Sequence, residues 1–270
     1  MHVKVRGEKV DITLCLAFLL VLIVASAAAS EYTAHWQPAG ERARTDSTMS
    51  GAFQDDFNAG YLDPERWKII QEGDVRNRTI DVVASDPMKR DAYQLRLGMD
   101  TIGTRDDSIK YIGVRSSTKL SFRVPVELSV DLDWNNQRNG SYLTSAIYLC
   151  PTATDTNPER EQDWVRLEYI GVPPGQNARA VAAVKNSGTV RHLYTEGWPE
   201  ERRGRPIGEQ RITMIRDADG IAIRENGALL YRIDATHLRF DSLYVYLMMS
   251  SHSNYSFREI YFDTISVLQK

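Results

Sequence analysis

Only two cysteines occur in the 270 residues, and Cys15 lies in an apolar run near the N-terminus. Cys150 therefore stands alone in the rest of the chain, which excludes an internal disulfide there and leaves a hydrophobic core to hold the fold. Beside Pro151 and without a histidine constellation, Cys150 reads as a buried strand residue rather than a nucleophile. The histidines His35, His192, His237 and His252 are dispersed, which excludes the short His/Cys spacings of a zinc site. Gly-x-Ser-x-Gly and Walker-type glycine loops are missing. Net charge is −3, and the basic residues are scattered rather than striped, so nothing points to nucleic acid. The cluster 200–205, mixed in sign and flanked by Pro199 and Pro206, reads as a solvated loop. No apolar run reaches the roughly 20 residues of a membrane span. There is no repeat of fixed period, which disfavours propellers and solenoids, and no convincing three-turn helix.

What is present begins with Lys4, Arg6 and Lys9, an apolar run over 12–24 and small residues over 25–30. That order is the grammar of a secretory signal, with Ala27 and Ala29 meeting the small-x-small cleavage rule. The expectation is a signal peptide over 1–30, a linker or extended arm over 31–51, and one folded domain over 52–270. The protein is then secreted, extracellular or periplasmic, with no membrane span after cleavage; an uncleaved N-terminal anchor is the alternative. Cys15 lies inside the apolar run, so a lipid-modified N-terminal cysteine is not expected.

Beyond residue 52, alternating apolar and polar segments recur at 80–84, 93–97, 109–114, 119–134, 142–150, 164–170 and 178–184. They continue at 190–194, 211–216, 221–224, 229–233, 243–249 and 259–268, each bounded by Gly, Pro, Asn or Asp. Asp219-Gly220 and Asn226-Gly227 supply residues that tolerate positive φ, predicting a three-strand meander over 211–233. Asp63-Pro64 predicts one short turn, capped by Asp63 with Pro64 in first position. Many strands in a single domain predict an all-β fold, a jelly-roll sandwich of two antiparallel sheets.

Strand parity selects candidate site residues. In 163–169, Val165, Leu167 and Tyr169 alternate with Trp164, Arg166 and Glu168, so one face goes to the core and the other offers a ring, a cation and an acid. In 126–134, Val126, Leu128, Val130, Leu132 and Trp134 share one face and Glu127, Ser129, Asp131 and Asp133 the other. Asp131 and Asp133 stand about 7 Å apart, as an acidic groove or an ordinary solvent face. In 243–252, Tyr244 and Tyr246 precede Met248, Ser250 and His252 on one face. Rings followed by small polar groups suit stacking on sugars, and equally a strand buried on both sides.

These segments resemble, in order and spacing, the concanavalin A-like jelly-roll superfamily and its laminarinase and β-glucanase glycoside hydrolases. Phe53-Gln54-Asp55-Asp56-Phe57 followed by Leu62-Asp63-Pro64-Glu65-Arg66-Trp67 is similar to the family's opening. Ala146-Ile147-Tyr148-Leu149-Cys150-Pro151 resembles the strand before the catalytic one, and 260–267 resembles the closing strand. The resemblance implies a catalytic pattern ExDxxE, which falls on Asp163, Val165 and Glu168: the first carboxylate is shortened, the middle one lost, the last kept. A retaining mechanism needs two carboxyls about 5 Å apart. Asp163 and Glu168 differ in parity, so only a β-bulge between them would bring both into one groove.

Three functions follow. The first is a secreted carbohydrate-binding domain without efficient glycosidase activity, monomeric, its partner a polysaccharide bound through Trp164, Arg166, Glu168, Tyr244 and Tyr246, with Asp131 and Asp133 as further ligand-binding candidates. The second is an active glycoside hydrolase on a β-glucan-like polymer, with Glu168 as acid/base and Asp163, Asp131 or Asp133 as its partner. The third is a structural or adhesion module, to which Trp36 and Trp198 on loop-like segments would contribute. No cofactor is required; the resemblance implies a candidate structural Ca²⁺, for which Asp56 and Asp263 match in position. Asn-x-Ser/Thr sequons stand at Asn77, Asn139 and Asn254.

Overall fold

The computed structural model describes residues 2–5, 8–11, 53–85, 92–103, 108–123, 125–133, 143–170, 179–197, 209–252 and 257–269. The chain divides into two compact units, Met1–Thr48 and Met49–Lys270. In the first, β1 (His2–Val5) and β2 (Glu8–Asp11) pair as an antiparallel hairpin, with Val3 opposite Val10. Lys4 and Lys9, expected to open a secretory signal, stand opposite each other in it; Arg6, the apolar run and the cleavage region lie outside the described residues. Among the described residues no helix is long and apolar enough to cross a membrane.

The second unit is built from β3 (Phe53–Asp55), β4 (Trp67–Glu72), β5 (Asn77–Ala84), β6 (Tyr93–Asp100), β7 (Lys110–Ser116), β8 (Leu120–Ser121), β9 (Val126–Asp133) and β10 (Leu143–Cys150). It continues with β11 (Trp164–Ile170), β12 (Arg179–Asn186), β13 (Thr189–Gly197), β14 (Glu209–Asp217), β15 (Gly220–Glu225), β16 (Ala228–Asp234), β17 (Ser242–Ser251) and β18 (Arg258–Gln269). A front sheet of eight strands runs β13-β12-β11-β10-β17-β7-β4, with β8 also beside β17. A back sheet of eight runs β16-β15-β14-β9-β18-β6-β5, with β3 also beside β18. The two antiparallel sheets form the expected jelly-roll sandwich. Inward residues of both, among them Leu97, Leu128 and Val130 from the back and Ile147, Leu167 and Leu247 from the front, make one buried core. Each such side chain contributes about 1.5–3 kcal/mol by leaving water, which replaces the missing disulfides.

Local chemistry explains the element ends. Asn226 and Gly227, both at positive φ, form the two-residue turn between Glu225 and Ala228. At the neighbouring turn a Cβ on Gly220 would lie 1.9 Å from the Ile233 carbonyl oxygen, so only glycine fits. The Asp55 carboxylate accepts from Trp67 Nε1 at 2.7 Å and from the Phe57 amide at 2.9 Å. Phe53 packs edge-on to the Trp67 indole, so the opening motif ties β3 to the start of β4. Asp63 accepts the Glu65 amide at 2.9 Å and caps the predicted short turn.

The structure differs from the sequence reading in one long segment. Residues 119–134 do not form one strand: β8 joins the front sheet and β9 the back sheet. Pro125, which has no N–H for a ladder, stands at the break. The strand β4, with Ile69 and Ile70 side by side, has no counterpart among the predicted segments.

Candidate functional site

The strand β11 occupies the predicted span and keeps the predicted parity. Val165, Leu167 and Tyr169 enter the core, whereas Trp164, Arg166 and Glu168 point out of the front sheet. Its ladders to β10 and β12 show no register shift, so no bulge intervenes. Register places Arg166 opposite Tyr148, Tyr148 opposite Tyr246, and Tyr246 opposite Arg115, a row crossing four strands. Glu168 lies opposite Ala146, which lies opposite Met248.

This outer face is not open. The connection between β10 and β11, residues 151–163, folds back over it. Asn157 caps a 3-10 turn, Pro158–Arg160, by accepting the Glu159 amide at 2.8 Å, and Pro158 is buried. Tyr148 donates to the Glu159 carboxylate at 2.7 Å, Arg166 donates to the same oxygen, and Lys185 donates to the Glu159 carbonyl at 2.7 Å. The Tyr246 hydroxyl accepts the Thr154 amide at 3.0 Å, and Arg115 donates to Asp155 at 3.0 Å. Arg160 and the Asn157 amide both reach Glu72, at 2.6 and 3.2 Å. Trp164 and Tyr246 are in consequence fully buried, and only Tyr244 of the aromatic candidates stays half-exposed.

Electrostatically the centre of the face is Arg166. Its guanidinium lies 4.9 Å from the Trp164 ring centroid and 5.8 Å from that of Tyr148. It donates to Glu168 at 2.7 Å on one side and meets Glu159 on the other. Burial alone would lower the guanidinium's pKa, but Tyr148, Glu168 and Glu159 together raise it. Burial also pushes the Tyr148 phenol well up, and pushes Tyr111 up to about 12 with Glu159 adding to the effect. Burial likewise raises the Cys150 thiol, which suits a packing residue better than a nucleophile.

Other predicted residues are dispersed. Asp163 precedes β11 and accepts the Ser187 amide at 2.8 Å, so it fastens the β12–β13 turn instead of facing Glu168. Asp131 and Asp133 stand on the outer face of the back sheet, where Asp131 lies 3.6 Å from Arg211 and Asp133 pairs in register with Tyr261. The sandwich core separates them from Glu168, which removes them as its catalytic partners. They lie on β9, which the topology inserts between β14 and β18. The Asp56 carboxylate accepts the Asn58 amide at 3.1 Å, and Asp263 falls in the register shift between Phe262 and Ile265. Among the described residues no group of three or more His, Cys, Asp and Glu side chains could hold a metal; a calcium site at Asp56 and Asp263 would draw its other ligands from backbone oxygens. Trp36, Trp134 and Trp198 lie outside the described residues. The contributors that sequence reading missed are Glu159, Arg115 and Lys185; the acids Asp155, Glu159, Glu161 and Asp163 crowded into one loop were the available signal.

No family model matches the chain, and no curated protein matches it in sequence. Solved structures do match. A Bacteroides ovatus GH16 enzyme of a mixed-linkage glucan locus, in complex with a G4G4G3G product, aligns with a TM-score of 0.58 at 13% identity over 80% of this chain and 99% of that one. A Bacillus licheniformis β-glucanase aligns with a TM-score of 0.54 at 10% identity, over 82% and 100%. A β-1,3-glucanase from Mycobacterium marinum gives 0.52 at 10% identity, over 80% and 97%. The chain thus shares the jelly-roll sandwich fold of these glucanases.

Proposed function

We propose that this chain is an exported, monomeric, carbohydrate-recognising domain that keeps the glucanase scaffold without its chemistry. The observation that carries the reading is the placement of Arg166 between two acids of the front face, Glu159 and Glu168. Retaining hydrolysis needs two carboxyls about 5 Å apart with the scissile bond between them. Here a guanidinium fills that space and neutralises both acids, and Asp163 serves a backbone turn. An acid/base role for Glu168 would require it to exchange a proton with a leaving group, which an ion pair to a permanently charged partner opposes.

Support for sugar recognition comes from the fold and from a strip beside the covered row. Ile170, Thr144, Ser250, Tyr111 and Glu72 follow one another across five strands in register, and all are half-exposed. A phenol beside the Ser250 and Thr144 hydroxyls can stack on a ring and bond its hydroxyls, while Glu72 anchors the neighbouring loop.

The test pairs binding with turnover on β-1,3-glucan and mixed-linkage glucan. The expected result is retardation in affinity electrophoresis, with no reducing ends released above a Glu168→Gln control. Turnover that Glu168→Gln abolishes would restore the hydrolase reading. Absence of binding across a broad glycan panel would leave a structural or adhesion module, the reading that full burial of Trp164 and Tyr246 favours.

A further inference from the structure

Three buried N–H groups on the front face have no hydrogen-bond partner: Trp164 Nε1, Arg166 Nε and Arg115 Nε. The other unpaired buried groups among the described residues lie elsewhere. Gln71 and Ser145 alternate with outward neighbours on their strands, and Arg224 belongs to the back sheet. The face beneath the 151–163 loop therefore has a surplus of donors only. Buried donors are normally satisfied, and a surplus of them calls for acceptors, best of all anionic ones.

Apart from the Ser116 carbonyl, which accepts from Arg115 at 3.1 Å, the acceptors now present are carboxylates, and they arrive in the same way twice. Arg166, beside the rings of Trp164 and Tyr148, holds Glu159. Arg115, 5.1 Å from the Tyr244 ring centroid, holds Asp155. Each seat combines a guanidinium with an aromatic face. The two seats are three strand spacings apart in register, roughly 14 Å. Both occupants belong to one connecting loop, and the Asp155 side chain is 87% exposed although its Arg115 partner is only 9% exposed. An ion pair whose acid is solvated is held weakly and exchanges readily for another carboxylate.

We propose that the Arg166 and Arg115 seats bind the carboxylates of an acidic, uronate-containing polysaccharide, with Glu159 and Asp155 as internal stand-ins that the ligand displaces. Guanidinium groups match carboxylates with paired donors, and the adjacent rings offer the apolar surface that sugar faces require. The inference rests on the reading of the domain as carbohydrate-recognising and specifies the class of sugar.

The experiment compares polygalacturonate with neutral β-1,3-glucan, using affinity electrophoresis of the full chain. Wild type is expected to bind polygalacturonate weakly, and the Asp155→Asn/Glu159→Gln double variant at least about tenfold more tightly, because the internal competitor is gone. Asp81→Asn/Asp217→Asn makes the same change of charge on the back sheet and should leave affinity unchanged. Arg115→Met in the first background should cancel the gain. Equal affinity of the double variant and wild type, or an equal gain in the back-sheet control, would overturn the proposal. A measurement free of variants tests the same point: the wild-type melting midpoint should rise further with polygalacturonate than with neutral glucan at equal mass concentration, and an equal or smaller rise would overturn the proposal. Binding of neutral glucan alone would remove this inference and keep the broader reading, and binding of neither polymer would remove both.

Discussion

On the front sheet, the Arg166 and Glu168 side chains are each only 10% exposed and pair at 2.7 Å. On the back sheet, Arg211 is 60% exposed and sits 3.6 Å from Asp131, while Arg96 grips Asp81 with two donors at 3.0 and 2.8 Å. Both outer faces arise from the same alternation of apolar and polar residues. One is roofed by the 151–163 loop; on the other the cations Arg211 and Arg96 stay in water, although Asp131 itself is buried. Parity thus decides which side chains leave the core, and the loop that joins β10 to β11 decides whether they reach water.

The largest expected effect sets the two arginines against each other. Arg166→Ala leaves buried Glu168 and half-buried Glu159 without their shared cation and should cost about 3 kcal/mol in urea denaturation. Arg211→Ala should cost less than about 1 kcal/mol. Equal losses would break the distinction between the faces.

A smaller contrast concerns one glycine on each face. A Cβ on Gly113 would lie 2.3 Å from the Leu247 carbonyl oxygen, within the β17 ladder, whereas a Cβ on Gly98 would meet the tip of the Phe257 ring at 2.5 Å. Phe257 is 41% exposed and can swing away. Gly113→Ala should lower stability by about 2 kcal/mol or more, and Gly98→Ala should change it by under about 1 kcal/mol. Melting and denaturant midpoints of the two variants make the comparison.

Alkaline pH sharpens the picture further. Tyr111 is raised to about 12 by burial and then by Glu159, above the unfolded phenol value of about 10. A phenol raised on folding contributes stability that is intact below pH 10 and is lost as pH climbs through 12. The melting midpoint should hold up to pH 10 and then fall, together with the rise in phenolate absorbance. Tyr111→Phe should shallow that fall. The smallest effect is expected from calcium: with Asp56 engaged by its own turn, exchanging millimolar Ca²⁺ for chelator should move the midpoint by less than about 2 °C. A larger rise with Ca²⁺ would assign Asp56 and Asp263 a metal.

Much of the sandwich was legible because its signals are local. The β11 parity, the Asn226-Gly227 turn and the Asp55 and Trp67 opening each follow from a few neighbouring residues. Ser187 and Gly188, both at positive φ, form a further two-residue turn, and the Ser-Gly pair carries the same kind of local signal. The site was less legible. Whether Asp131 could approach Glu168 depends on which sheet β9 joins, and that is fixed by partners about 80 and 130 residues downstream, β14 and β18. Glu159 sits seven residues from Arg166, in an irregular loop where no periodicity shows which way a side chain turns.

The roofing loop has one more property. It joins neighbouring antiparallel strands whose last pair is Leu149 with Val165, so it is an insertion into a hairpin and not part of the crossover wiring. Replacing it with a tight turn would leave every strand its partners and shorten a loop, which chain statistics favour. The front face is therefore detachable from its cover by design. A trimmed variant would offer a ready-made aromatic and cationic trough on which new recognition could be engineered.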